Sequence, residues 1–162
     1  MSLRETLLKM AETAEPSKQE IDAQLTEWRE VAIPGLYQSI KATLSNLIAE
    51  GLISVNPPRT EHRTEELTGP YEIEVMDLAI HGRTITVNPV GLFTIGAIGR
   101  VELFARGRLD RRYILLRLKD NSSGKDRWFI FLERNGPRFP LTDLPELSRE
   151  NLEGVIEKLL LP

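Results

Sequence analysis

The sequence predicts an α+β protein: N-terminal helices, then a curled antiparallel sheet of about five strands, then a C-terminal helix. Up to residue 54 the apolar residues recur every three or four positions, which is typical of amphipathic helices. From residue 70 they alternate with other residues, which is typical of strands. Helical spacing returns after Ser148, which is placed to cap the last helix. Because helices do not alternate with strands, a parallel βαβ sheet is not expected.

The first of three predicted N-terminal helices has an apolar face. Its residues with helical spacing are Leu3, Leu7, Met10, Ala11 and Ala14, and Pro16 ends the segment. Because this helix is amphipathic, its apolar face is suited to an interface.

Capping signals define the second and third helices. Ser17 followed by Glu20 forms a capping box, in which the serine accepts a hydrogen bond from a free backbone N–H group. Pro34 suits the first turn of a third helix, where its missing N–H is not needed. Gly51 is placed to end that helix.

The organisation predicted from these patterns is a helical segment, residues 1–54, and a sheet with its C-terminal helix, residues 70–162. Residues 55–69 are rich in proline and charge, so they are interpreted as a linker or mobile loop. The two parts are expected to form one compact unit, although the sequence leaves open how the helices pack on the sheet.

Residues typical of turns mark the boundaries between the predicted strands of the sheet. The apolar alternation shifts by one position after Val75, which predicts a bulge or a kink near that residue. His81 and Gly82 predict a two-residue hairpin turn. Residues 88–91, NPVG, predict a type I turn, and residues 93–105 then alternate as one long strand.

The last two predicted strands, residues 112–119 and 127–133, are apolar on both faces. A sheet with one face in water would carry polar residues on that face. The C-terminal helix can cover one side. The N-terminal helices, the curl of the sheet or a second subunit can cover the other, so a homodimer is one expectation.

Composition narrows the class of protein. The 162 residues suit one domain, and 41% hydrophobic residues are enough for a core. The chain has no cysteine, which excludes disulfides, thiolate zinc sites and cysteine nucleophiles. A charged N-terminus and the lack of a long apolar run predict a cytoplasmic protein without membrane spans.

Catalytic signals are sparse. His62 lies near Glu66 in a charged segment where a solvated loop is favoured over a metal site, and His81 is a turn residue. Glu72 and Glu74 alternate on the wet side of a strand. No cofactor motif, metal cluster or nucleophile–base pair is found, so the prediction is a non-enzymatic protein without cofactor or metal.

Residues 100–119, RVELFARGRLDRRYILLRLK, hold seven basic residues in an acidic chain. Residues 1–99 carry a net charge of −6, residues 100–138 carry +6 and residues 139–162 carry −3. Clustered cations bind phosphates, and an exposed aromatic ring stacks on a base. The candidate partner or nucleic-acid residues are Arg100, Arg106, Arg108, Arg111, Arg112, Tyr113, Arg117, Lys119 and Arg127.

The same pattern has a second interpretation, which we favour: a charged rim that protects the edges of the sheet. Glu102 lies on the same strand face as Arg100, and Asp110 lies within the turn, so ion pairs would use several of the cations. The acidic balance of the whole chain also repels nucleic acid at long range.

Residues 33–55, IPGLYQSIKATLSNLIAEGLISV, resemble the recognition helix and first wing strand of a winged-helix domain. The resemblance implies that polar residues such as Gln38, Lys41 and Asn46 would contact DNA bases. Residues 1–54 are acidic, however, whereas a phosphate-docking face should be basic.

We therefore expect a non-enzymatic protein that binds another macromolecule. The favoured partner is a protein or a second copy of the chain, and nucleic acid is the alternative. A small-ligand pocket inside the curled sheet is a further option, because two-sided apolar strands can enclose one.

Overall fold

The computed structural model describes residues 2–12, 17–94, 97–108, 110–120, 123–133 and 144–162. It confirms the α+β class and the curled antiparallel sheet, which has seven strands rather than about five. The elements are α1 (Leu3–Glu12), α2 (Lys18–Glu27), a π-helical turn (Trp28–Ala32), α3 (Ile33–Thr43), α4 (Ser45–Ala49), β1 (Ser54–Val55), β2 (Arg59–Glu65), β3 (Gly69–Ile80), β4 (Arg83–Gly91), β5 (Arg100–Ala105), β6 (Arg112–Lys119), β7 (Asp126–Leu132) and α5 (Arg149–Leu160).

The strands pair in the order β1-β3-β4-β5-β6-β7, and β2 also pairs with β3. β1 and β2 lie against successive parts of β3: Ser54 is opposite Ala79 and Arg59 is opposite Val75. β4 pairs with β3 only from Met76 to Ile80. The first half of β3 therefore leaves β4 and forms a hairpin with β2.

The position of the predicted bulge or kink near Val75 is the point where β3 changes partners, because β2 pairs up to Val75 and β4 pairs from Met76. Tyr71 and Ile73 pack in the main core before this point, and Met76 and Leu78 pack in it afterwards. The residues that face the core thus shift by one position here, as the alternation in the sequence indicates.

The predicted two-residue hairpin turn is confirmed between β3 and β4. Its residues have positive φ angles, 47° at His81 and 77° at Gly82. A two-residue turn with positive φ at both positions matches the right-handed twist of the strands that it joins.

Residues 55–69 differ from the predicted linker or mobile loop, because they contain β2. The strand carries half-buried charged residues instead of apolar ones. Arg59 Nε donates to Asp77 Oδ2 at 2.7 Å, and Arg63 Nη2 donates to Glu61 Oε2 at 2.9 Å. The Arg59–Asp77 pair gives β2 a cross-strand contact of the kind that apolar side chains usually supply, whereas the Glu61–Arg63 pair lies within β2 itself.

Two other strand predictions are wrong in detail. Residues 88–91 are the end of β4 rather than a turn, with a register shift between Pro89 and Gly91. The long strand predicted over 93–105 begins as β5 only at Arg100, and residues 95 and 96 of that stretch lie outside the described residues.

The second and third predicted helices are one helix from α2 through α3. Ser17 caps it as predicted, and its Oγ accepts from Glu20 N–H at 3.2 Å. The helix continues through Pro34 because of the π-helical turn before it, where Ile33 N–H donates to Trp28 O. A proline ring clashes with the carbonyl four residues earlier, and a wider turn relieves this clash. Residues 18–43 thus contain no turn that would divide a helix-turn-helix.

The core lies between one face of the sheet and the helices. Trp28 and Leu36 from the long helix and Leu152 from α5 pack in one cluster with Ile85 and Leu115 of the sheet. The opposite side of β6 and β7 forms a smaller cluster of Ile114, Leu116 and Phe131, against which Ala97 and Leu144 pack. One chain therefore covers apolar residues on both faces of these strands.

Helix α1 differs from the other long helices in its burial. Every side chain from residue 2 to residue 10 is exposed. Among the described residues, no helix is long and apolar enough to cross a membrane.

Candidate interaction surface

The tip of the β5–β6 hairpin contacts the end of helix α5. Arg108 Nη1 donates to Leu161 O at 2.6 Å, and Arg111 Nη1 donates to Lys158 O at 2.9 Å. Arg83 also donates to Leu160 O. The last carbonyls of a helix lack partners within it, and its C-terminus attracts cations. These arginines therefore cap α5.

A second group of predicted residues forms ion pairs around two acidic residues of the sheet. Arg106 Nη2 lies 3.0 Å from Asp77 Oδ2. Glu102 Oε1 lies 3.4 Å from Arg112 Nη1 and 3.8 Å from Arg100 Nη2. The charges of this group are thus largely balanced within the chain.

Asp77 is the most buried carboxylate of this group, with 5% of its surface exposed. Burial raises the pKa of Asp77, but hydrogen bonds from Arg59 and Thr86 and attraction by Arg106 outweigh it and hold the pKa below its usual value. The carboxylate is therefore a structural anion that joins β2, β3, β4 and the β5–β6 turn.

Arg117 is buried, with 4% of its surface exposed. Its Nη1 donates to Glu27 Oε2 at 2.8 Å and its Nε donates to Asp126 Oδ2 at 2.7 Å. Burial lowers the pKa of Arg117, but hydrogen bonds to the two carboxylates outweigh it and raise the pKa above its usual value. The guanidinium joins α2 to β6 and β7.

Lys119 is the exposed basic residue beside Arg117. Both line a cleft of about 480 Å³ between α2 and β6, together with Gln24, Glu27 and Phe93. This cleft is also lined by Leu92 and Thr94, which follow β4, whereas the sheet face toward the helices is packed with core side chains.

The remaining predicted residues lie on β6 and β7. Arg127 Nη2 pairs with Glu146 Oε2 at 2.8 Å, and its guanidinium carbon lies 5.2 Å from the centre of the Phe129 ring. Tyr113 and Phe129 are buried, with 8% and 6% of their surfaces exposed. Base stacking on either ring would therefore require the strands to open.

The structure divides the nine predicted residues instead of joining them in one patch. Arg108 and Arg111 cap a helix, a second group pairs with carboxylates on the sheet, and the third lies around α2 and β7. Among the described residues, seven of the eight basic residues in the set contact a carboxylate or a main-chain carbonyl. Their charges are thus largely used within the chain, although β5 and β6 are internal strands of the sheet rather than the edges that a charged rim would protect.

The residues weighed for catalysis do not converge. His62 Nδ1 lies 3.8 Å from Glu72 Oε1, and 84% of the histidine side chain is exposed. His81 is in the β3–β4 turn. Within the described ranges, no group of three or more acidic or histidine residues is arranged to hold a metal ion.

Helix α1 presents the apolar face that its sequence predicted. Leu3, Leu7 and Met10 have 75%, 54% and 62% of their surfaces exposed. They lie within about 60° of one another around the helix axis, at about 100° per residue. Arg4 and Lys9 flank this face on its two sides. We call Leu3, Leu7 and Met10 the α1 stripe.

An apolar groove of about 330 Å³ lies at the other end of the long helix, beside α5. Its apolar lining is Leu44, Leu47, Leu52, Ile53, Ile80, Ile156 and Leu160, and Glu153 and Glu157 also line it. Leu52 is 43% exposed. Sequence reasoning missed this groove because its lining comes from three segments that are distant in the chain.

Comparisons with protein-family models, with curated proteins and with solved structures found no match for this chain.

Proposed function

We propose that this protein is a non-enzymatic, cytoplasmic module that binds another protein, and that helix α1 is the element that docks. The α1 stripe is the observation that carries the proposal. It places three large apolar side chains on one exposed face of a helix. An amphipathic helix that lies in a groove of its partner is a common mode of protein recognition.

The burial of the stripe supplies the driving force for this docking. Completely burying a leucine or methionine side chain contributes about 1.5–3 kcal/mol. Arg4 and Lys9 beside the stripe favour a groove with acidic edges. The basic residues of β5 to β7 support nucleic-acid binding less well, because most of them already contact carboxylates or carbonyls.

Site-specific photocrosslinking in cells of the source organism tests the proposal. A photoreactive residue replaces Leu7, and the matched control carries it at Leu8, which is also exposed but lies about 100° further round the helix. We expect one discrete protein adduct from position 7, weaker at position 8 and lost when Leu3→Glu is added. Equal labelling at both positions, or no adduct, contradicts docking through the stripe.

Oligonucleotide binding by the purified protein distinguishes the proposed function from the alternative, which is nucleic-acid binding. Fluorescence anisotropy with single- and double-stranded DNA, from low salt to about 0.2 M, should show no binding that weakens steeply with salt. If such binding is present and is lost in Lys119→Glu, the nucleic-acid function is the better one.

A further inference from the structure

We infer that the partner of helix α1 is a second copy of this chain, and that the α1 stripe docks in the apolar groove between α4 and α5 of that copy. This inference rests on the proposed function and identifies its partner. It joins two features that are complementary: an exposed apolar helix face and an open apolar groove.

The charges around the two surfaces match. The groove is bordered on α5 by Glu153 and Glu157, both exposed and one helical turn apart. The helix carries Arg4 and Lys9 on either side of its stripe. A helix laid in the groove places one of these cations beside the α5 carboxylates, and attraction of this kind sets orientation and specificity.

Chain length prevents α1 from filling the groove of its own chain. The groove begins at Leu44, and the helix from Lys18 to Leu44 is about 39 Å long at about 1.5 Å per residue. The five peptide units from Glu12 to Ser17 span at most about 18 Å. Leu7 lies about 8 Å further along α1, so it reaches about 26 Å at most.

A second copy removes this restriction and produces a closed assembly. If α1 of each chain lies in the groove of the other, the two contacts are equivalent and form a twofold-symmetric dimer. Both apolar surfaces are then used, and no further copy is needed.

Sedimentation velocity and light scattering of the purified full chain, from 1 to about 100 μM, test the inference. We expect a concentration-dependent shift from the chain mass of 18.4 kDa to twice that mass. Leu3→Glu with Leu7→Glu should remain monomeric, as should Leu52→Glu in the groove. The matched controls are Leu8→Glu on α1, where the leucine is 52% exposed against 54% for Leu7, and Leu67→Glu in the β2–β3 turn, where it is 36% exposed against 43% for Leu52. Both should dimerise like the wild type.

Mixing the two monomeric variants is the decisive step. One retains an intact groove and the other an intact helix, so the mixture should form a heterodimer through one contact. Dimerisation in the mixture but in neither variant alone supports helix-to-groove docking. If Leu52→Glu alone still dimerises, α1 pairs with α1 and the groove assignment is overturned.

Charge reversal tests the orientation. Glu153→Lys with Glu157→Lys should weaken dimerisation about tenfold, and adding Arg4→Glu with Lys9→Glu should restore it. If the four changes together do not restore dimerisation, the assigned pairing of the α1 cations with the α5 carboxylates is wrong.

A wild-type protein that stays monomeric to 100 μM overturns the inference of a second copy. The proposed function is then judged separately by photocrosslinking. An adduct whose mass differs from that of two chains identifies a different protein partner, whereas the absence of any adduct rules out both the second copy and the proposed function.

Discussion

Gly99→Ala is the change for which the structure gives the sharpest expectation. Gly99 lies under the indole ring of Trp28, which is completely buried. A Cβ atom at this position would lie 2.2 Å from Cζ3 of Trp28 and 2.7 Å from Cη2. Ordinary contacts between carbon atoms are about 3.5–4.0 Å, so the ring or the strand must move by more than 1 Å.

The magnitude follows from the packing around that ring. Inserting a methyl group into a filled core costs about 1–3 kcal/mol, and a completely buried indole favours the upper end of this range. Alanine also restricts the unfolded chain, which offsets about 0.4–1 kcal/mol. We therefore expect a net loss of about 2 kcal/mol, or about 4–8 °C in Tm for a chain of this length.

Urea unfolding followed by far-UV circular dichroism measures this loss, and Gly35→Ala is its control. Gly35 is exposed on α3, and nothing lies within 4 Å of its added Cβ. Alanine there should stabilise the helix by about 0.5–1 kcal/mol, so the two identical substitutions should have opposite signs. An unchanged urea midpoint in Gly99→Ala would refute the close packing of Trp28 against Gly99.

Three further changes test the buried polar groups. Tyr37→Phe removes a 2.6 Å hydrogen bond to Glu74 O, and urea unfolding should show a loss of about 1–2 kcal/mol. Arg117→Met leaves two partly exposed carboxylates without their cation, and thermal unfolding should show a loss of about 1–2 kcal/mol. Because the pKa of Asp77 is lowered on folding, its contribution to stability is complete above its unfolded pKa of about 3.9 and is lost as the pH falls through the folded value. Asp77→Asn should therefore have a lower free energy of unfolding than the wild type at pH 7. Urea titrations should also show that it loses less of that free energy than the wild type between pH 5 and pH 2.

Short sequence motifs were sufficient to predict each local structure that depends on residues close together in the chain. Ser17 and Ser148 cap their helices as predicted, since each serine Oγ accepts from an N–H group three residues later. His81 and Gly82 form the predicted hairpin turn because both adopt positive φ. In each case the determining interaction lies within a few residues.

The predictions failed where partners distant in sequence decide the structure. β2 has no apolar alternation, and its side-chain contacts reach distant residues, as where Arg59 donates to Asp77, 18 residues away in sequence. Pro34 signals the start of a helix, yet the π-helical turn before it lets one helix continue. The apolar groove joins α4, the β3–β4 turn and α5, so no single segment carries its pattern.

The basic region illustrates why charge density alone does not identify a binding surface. Residues 100–138 carry a net charge of +6, but the contacts within the chain use much of it. Arg108 and Arg111 cap α5, and Arg117 is buried between two carboxylates. A phosphate would have to replace these partners, whereas a protein groove that receives α1 replaces only water around Leu3 and Leu7. Since displacing water from apolar side chains is favourable and separating a buried ion pair is costly, the apolar helix is the stronger candidate for binding.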